Sequence, residues 1–184
     1  VGGDLHGGKL PLATSTTVGA GAVLDASATV QGNGGSIQVV SDTSNVASTT
    51  AVSGTLKADG GSKGGDGGSI ETSGSTLDTT GITVQAAAPK GEAGQWLLDP
   101  AMIEIGTNAG VMTGNTADGT TTFSSALTSY LPASTIDSVL NSGTNVTVQT
   151  VGLTNSGAFD IWVVSPIEKT AGGDATLTLQ AANS

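Results

Sequence analysis

The chain has 184 residues, of which 29 are Gly and none Cys, and its 15 acidic residues against 5 basic ones give a net charge of −10. Every basic residue is a Lys and none are clustered, so phosphate neutralisation has little to work with, which argues against nucleic-acid and anionic-membrane partners. Without Cys there are no disulfides, thiol nucleophiles or cysteine metal ligands, and no apolar run approaches the length of a membrane span.

Only 3% of residues are aromatic and 11% charged, yet mean hydropathy is slightly positive at +0.12. Small polar residues bury too little apolar area to offset chain entropy in a wide core. A narrow solenoid resolves this, because stacked coils bury thin columns of Val, Ile, Leu and Ala, with Gly and Asn at positive-φ corners. An internal repeat supports it: Gly32-Asn33-Gly34-Gly35-Ser36-Ile37 returns as Gly65-Asp66-Gly67-Gly68-Ser69-Ile70, 33 residues later. Each copy follows a short strand, Val23-Leu24-Asp25-Ala26-Ser27 and then Thr55-Leu56-Lys57-Ala58-Asp59.

In chain order, Val1–Pro11 reads as a Gly-rich loop or incoming coil holding the single His, His6. Strand alternation follows at 18–30, 37–40, 52–58, 69–72 and 82–86, with a polar turn at 41–50. A loop at 87–94 leads to Gln95-Trp96-Leu97-Leu98-Asp99-Pro100, the largest apolar cluster of the first half, and Met102-Ile103-Glu104-Ile105 resumes alternation. Residues 107–122 read as an exposed polar loop. Phe123, Leu127, Tyr130 and Leu131 fit one face of a helix stopping before Pro132, and Ser134 is a candidate N-cap for a second helix with Ile136, Val139 and Leu140 as its apolar face and Gly143 past its end. Three alternating strands close the chain, at 146–149, 159–163 and 177–180. About eight coils stacked at roughly 4.8 Å would make a rod of about 40 Å.

The order of GGDLHGG, the Val23–Ser27 run, GNGGSI, GGDGGSIETSG, Leu77-Asp78 and GQWLLDP resembles filamentous-haemagglutinin-like exoproteins, the large adhesins of Gram-negative two-partner secretion systems. The second half, STIDSVLNSGTNVTVQT and then FDIWVVSPIEKTAGGDATLTLQA, resembles the segment that follows WLLDP in that family. The resemblance covers nearly the whole chain, and GDGGSIETSG followed by GQWLLDP is its most specific part. It implies a right-handed parallel β-helix, export through an outer-membrane secretion partner, and a role in adhesion or biofilm. It supplies no catalytic residues. The amino-terminal secretion domain of the family is not visible here, so the expectation is a shaft portion, a segment of something longer.

Several motifs carry competing chemistry. The Gly/Asp turn at 60–68 invites a Ca²⁺ reading, but it lacks the nine-residue period of β-rolls and Lys63 stands in its middle, so a structural turn is favoured. Trp96, next to the turn-setting Asp99-Pro100, and Trp162, out of phase with Phe159, Ile161 and Val163, are the two candidate ligand contacts, since an aromatic face is a sugar-stacking device. His6 stands alone and reads as solvated. Asp25, Asp59 and Asp66 are placed to stack by the repeat, as solvated corners. A β-helical polysaccharide-degrading enzyme would need paired carboxylates or a strong base with a cationic partner, and the acids here are spread singly with no Arg.

The expectation is therefore an all-β, right-handed parallel β-helix (β-solenoid) with one or two short helices in its second half, forming a single segment over 1–184. Its parts are Gly-rich repeats over 1–106, a loop and short helices over 107–143, and further coils over 144–184. The expected role is non-catalytic: a secreted or cell-surface adhesin segment of a Gram-negative bacterium, with no cofactor or metal, touching host or matrix glycans or proteins. The alternatives are a filament subunit self-associating through its ends and, behind it, the polysaccharide-degrading enzyme.

Overall fold

The computed structural model describes residues 1–106, 112–116, 119–123, 128–150 and 159–182. It is mostly β, with three parallel sheets, one antiparallel hairpin and one helix. The chain visits the three sheets in rotation. The first cycle lays down β1 (Ser15–Val18), β2 (Val23–Asp25) and β3 (Ser36–Val40); the second, β4 (Thr49–Val52), β5 (Thr55–Lys57) and β6 (Ser69–Gly74); the third, β7 (Thr76–Asp78), β8 (Thr83–Gln85) and β9 (Gln95–Pro100).

Each strand pairs in parallel with the strand one cycle on: β1 with β4 and β4 with β7, β2 with β5 and β5 with β8, β3 with β6 and β6 with β9. Parallel pairing normally demands a long crossover, and here the rest of the cycle supplies it. The 33-residue repeat appears directly as register, since Ser36 lies opposite Ser69 and Ile37 opposite Ile70. Alternation then decides the faces. Ile37, Val39, Leu56, Ile70, Leu77, Trp96 and Leu98 from all three sheets share one buried apolar cluster.

Glycine makes the corners possible. Gly65 sits at φ 128°, and a Cβ there would collide with the Gly32 carbonyl of the previous cycle. A Cβ on Gly68 would meet the Gly35 carbonyl in the same way.

After Pro100 the rotation changes. β10 (Met102–Gly106) follows β9 directly, and β11 (Met112–Thr116) and β12 (Gly119–Phe123) form an antiparallel hairpin. β13 (Thr128–Pro132) then returns to lie between β7 and β10, giving the first sheet the order β1-β4-β7-β13-β10-β15, where β15 is Ile161–Val163. Next comes α1 (Ala133–Asn141), which occupies the place in the cycle that β2, β5 and β8 hold earlier and contacts β8, the last strand of the second sheet. β14 (Asn145–Gln149) and β16 (Leu177–Gln180) complete the third sheet, in the order β16-β14-β9-β6-β3.

Four expectations are corrected. Within the polar stretch 107–122 the described residues form the β11–β12 hairpin rather than a loop. The helix expected at 123–131 is instead strand: Phe123 ends β12, and Tyr130 and Leu131 belong to β13, while Leu127 lies outside the described residues. Tertiary pairing overrides the helical spacing there, because β10 takes Thr128–Pro132 in full parallel register, burying Leu131 and turning Tyr130 outward. The single helix has Pro132, not Ser134, at its N-cap and no side-chain cap, though Ile136, Val139 and Leu140 are buried as expected and Gly143 follows its end at φ 79°. With six strands in the first sheet and five in the third, the described stack is shorter than the eight coils expected, about 24 Å over five steps of roughly 4.8 Å.

Candidate functional site

The described residues gather polar chemistry on two outer faces. On the third sheet, alternation turns Gln38 of β3, Glu71 and Ser73 of β6, Asp99 of β9 and Gln149 of β14 away from the core. Outward acids on a sheet are ordinarily solvated, yet Glu71 is 4% exposed and Asp99 6%. The amino-terminal segment covers them. Val1 accepts a bond from Val40 N at 3.0 Å at the free edge of β3, Gly2 accepts one from Ala13 N at 2.7 Å, and His6 Nε2 reaches Glu71 Oε2 at 2.8 Å.

Gln38 Nε2 also donates to Glu71 Oε2 at 3.2 Å, and Ser73 Oγ donates to Oε1 at 3.0 Å. Gln149 Nε2 donates to Asp99 Oδ2 at 3.0 Å, while Asp99 Oδ1 is buried without a partner. Burial pushes the Asp99 carboxyl up to about 6, helped by the neighbouring Glu71 charge and opposed by the Gln149 hydrogen bond. His6 is raised above its usual value, first by its bond to Glu71. The solvated reading of His6 is thus half right: its side chain is 60% exposed but tied at one nitrogen.

On the first sheet, Tyr130 of β13, Glu104 of β10 and Trp162 of β15 share one register row, with Asp78 of β7 beyond Tyr130. Ile103, Ile105 and Leu131 point inward, so the row faces out. Tyr130 donates its hydroxyl to Gly106 O at 3.1 Å. Glu104 lies between the two aromatic residues at 7% exposed, and burial alone raises its carboxyl. Burial and then the Glu104 charge raise the Tyr130 hydroxyl.

The two tryptophans of the sequence reading separate. Trp96 is fully buried and donates Nε1–H to Thr72 Oγ1 at 3.1 Å, so it is a core residue and presents no ligand face. Alternation with Leu98, opposite Ile70, already placed it inward. Trp162 is half-buried on the outward row. The acids at the corners do not stack on one another: Asp25 lies opposite Lys57. Asp59 Oδ1 accepts from Ala87 N at 2.8 Å and Asp66 Oδ1 from Glu92 N at 2.9 Å, so each ties its turn to the next cycle. Asn33 does the same for Asp66 N at 2.9 Å.

Grooves flank the stack among the described residues, three of which stand out. One of about 710 Å³ is lined by Pro89, Glu92, Asn145 and Asp174 among others. One of about 600 Å³ follows the glycine corner past Ser36, Ser69 and Gln95, and one of about 330 Å³ separates β8 from α1. No group of three or more His, Asp or Glu among the described residues is placed to hold a metal ion, and no helix there is long and apolar enough to cross a membrane. A scan against protein-family models finds no match, and a search of curated proteins finds none either.

Proposed function

We propose that the three sheets are the faces of one closed, right-handed parallel β-helix. On this reading the chain is a non-catalytic shaft segment of a secreted or surface-displayed adhesin of the filamentous-haemagglutinin kind. A Gram-negative cell would export it through an outer-membrane secretion partner and use it in attachment or biofilm formation. The observation that carries the reading is the rotation itself: three successive cycles place one strand in each parallel sheet, in register, over a shared aliphatic interior. Such a stack resists bending and projects whatever it bears, and the resemblance of GDGGSIETSG and GQWLLDP to the exoproteins supplies the biological setting.

A non-catalytic role is supported by the state of the acids. Both Glu71 oxygens are engaged by His6, Gln38 and Ser73, and the corner aspartates bond to backbone amides. The test is display of the chain on the surface of a non-adherent Gram-negative host, next to an unrelated spacer of equal length. Stronger retention on glycan- or matrix-coated surfaces under flow is the expected result, and equal retention would overturn the adhesive role.

A second reading, an end-to-end filament subunit, is favoured by apolar exposure at the last strands, where Val163, Val164 and Leu179 are 46%, 57% and 42% exposed. β15 and β16 are also the end strands of their sheets, offering unpaired edges. Sedimentation across a wide concentration range separates the two readings, since a filament subunit lengthens with concentration.

A further inference from the structure

The amino-terminal segment is fastened to the stack at few points. Val40 N donates to Val1 O at 3.0 Å, and Ala13 N donates to Gly2 O at 2.7 Å, which closes residues 3–12 into a loop. Gly3 turns the chain at the base of that loop with φ 119°, and a Cβ there would collide with the Pro11 carbonyl on the opposite limb. Residues 6–11 are exposed, so little apolar burial holds the loop down. Among the described residues, its one side-chain hydrogen bond to a sheet runs from His6 Nε2 to Glu71 Oε2, at 2.8 Å.

The face beneath is incompletely satisfied. Gln38 and Ser73 hold the Glu71 carboxylate from the sheet side, whereas Asp99 Oδ1 is buried without a partner. A buried carboxylate oxygen lacking a donor costs free energy. The titratable groups that meet there are Asp4 and His6 of the loop, Glu71 of β6 and Asp99 of β9. We propose that residues 3–12 form a lid, closed at its base by the Gly2–Ala13 hydrogen bond and latched at its tip by His6 on Glu71, which opens as pH rises through neutrality and uncovers the Glu71 and Asp99 face of the third sheet.

The chemistry of the latch sets the direction. The His6 bond to Glu71 is charge-assisted only while the imidazole is protonated, and Glu71 raises the imidazole above its ordinary value, first through that bond. Closure gains this contribution below 6.5 and loses it as pH rises through the raised value. Asp99 acts in the same sense at lower pH. Burial lifts its carboxyl to about 6, so the covered state weakens as Asp99 ionises between 3.8 and about 6. Above neutrality a positive charge has left the lid and a negative one has appeared beneath it. The lid stands on these contacts and is independent of the attachment reading.

The experiment uses the whole chain. Its single His gives an isolated imidazole signal in proton NMR, which is titrated in the unmodified chain and in Glu71→Gln. Amide exchange at Ala13 is measured at pH 6 and pH 8, corrected for intrinsic rates, with Ile70 of β6 as reference. His6 is expected to titrate above 6.5 and to fall back in Glu71→Gln. Ala13 protection should drop about three- to tenfold at pH 8 while Ile70 holds, and in His6→Gln the drop should shrink to about twofold or less, the part left to Asp99.

A His6 midpoint at the ordinary value that Glu71→Gln leaves in place overturns the proposal. So does equal Ala13 protection at both pH values, or a drop of undiminished size in His6→Gln. An equal drop at Ile70 overturns it as well, since the whole stack and not a lid would be opening. Should Glu71→Gln fail to fold, His6→Gln decides, because it alters a side chain that is mostly exposed.

Discussion

The two parts of the chain on either side of Pro100 are built from similar strands but obey different rules. Before it, β1 to β9 run through three cycles without exception, and each ladder joins strands one cycle apart. After it, β13 inserts between β7 and β10, a hairpin interrupts the cycle, and α1 stands where a strand stood. The junction of β7 and β13 shows the cost of the change. They pair only at Tyr130 and Asp78, and Leu77 N donates to the Ser129 hydroxyl at 2.8 Å in place of a backbone carbonyl. Repetition produces smooth ladders and small-residue corners; the break brings Tyr130, Glu104 and Trp162 into one row. Regular cycles share one aliphatic interior, and the outward aromatic row arises where regularity fails.

The contrast is broken most severely from inside the first part. Trp96→Ala removes the largest buried side chain and leaves Thr72 Oγ1 without its indole donor. It is expected to cost about 3–5 kcal/mol by chemical denaturation and to unfold all three cycles together. Leu131→Ala, at the inserted strand, is expected to cost about 2–4 kcal/mol. By hydrogen exchange its effect should concentrate in β13 and α1, leaving β1 to β6 protected. Uniform loss of protection in that variant would erase the distinction between the two parts.

The amino-terminal cover gives a pH test with a definite sign. The Asp99 carboxyl rises from 3.8 to about 6 on folding, so the native state prefers it protonated. That preference is neutral below pH 3.8; it costs stability as pH climbs from 3.8 to about 6, by about 2–3 kcal/mol in full, and levels off above that. His6 acts in the same direction, because its raised value stabilises the charged form bonded to Glu71, a contribution present below 6.5 and lost as pH rises through the folded value. The groups meeting there are Asp4 and His6 from the cover, Glu71 from β6 and Asp99 from β9. Trypsin cleavage after Lys9 should therefore quicken on passing from pH 6 to pH 8, after correction for the enzyme's own pH profile. The pH 6 to 8 step belongs to His6, whereas Asp99→Asn should flatten the fall in stability between pH 4 and pH 6 and raise stability at neutral pH.

Much of this was legible beforehand, and unevenly. The repeat at Gly32 and Gly65 translates into the register of Ile37 on Ile70, and the alternation at 146–149 and 177–180 into the pairing of Val146 with Leu177. Those are local patterns repeated, and each copy corroborates the next. The helical spacing of Phe123, Leu127, Tyr130 and Leu131 misled because the decisive partner, the open edge of β10, is a tertiary fact. Glu71 and Asp99 were equally hidden: their outward phase is correct, but only the placement of His6 and the residues around it reveals that an outward position is covered. Trp162 was readable from its phase alone, whereas its neighbours Glu104 and Tyr130 came together only through the insertion of β13.

Smaller effects sharpen the same contrast. Asn33→Ala removes the side-chain tie to Asp66 N between cycles and should cost about 1 kcal/mol in thermal or chemical unfolding. Ser134→Glu places an acid in the first turn of α1, which has none, and should stabilise by about 0.5 kcal/mol at low salt, an increment that fades as salt is added.

The in-register stack itself is open to direct measurement, since the chain has no Cys and pairs can be introduced at will. Ser36 and Ser69 lie opposite one another on adjacent strands, as do Ser69 and Gln95, while Ser36 and Gln95 are two strands apart. Cysteine substituted at either adjacent pair should oxidise readily to a disulfide, since a neighbour at about 5 Å between Cα atoms is within reach. The Ser36/Gln95 pair should remain reduced under the same conditions. Ready closure of Ser36 to Gln95, with failure of both adjacent pairs, would contradict the stacking order on which the account depends.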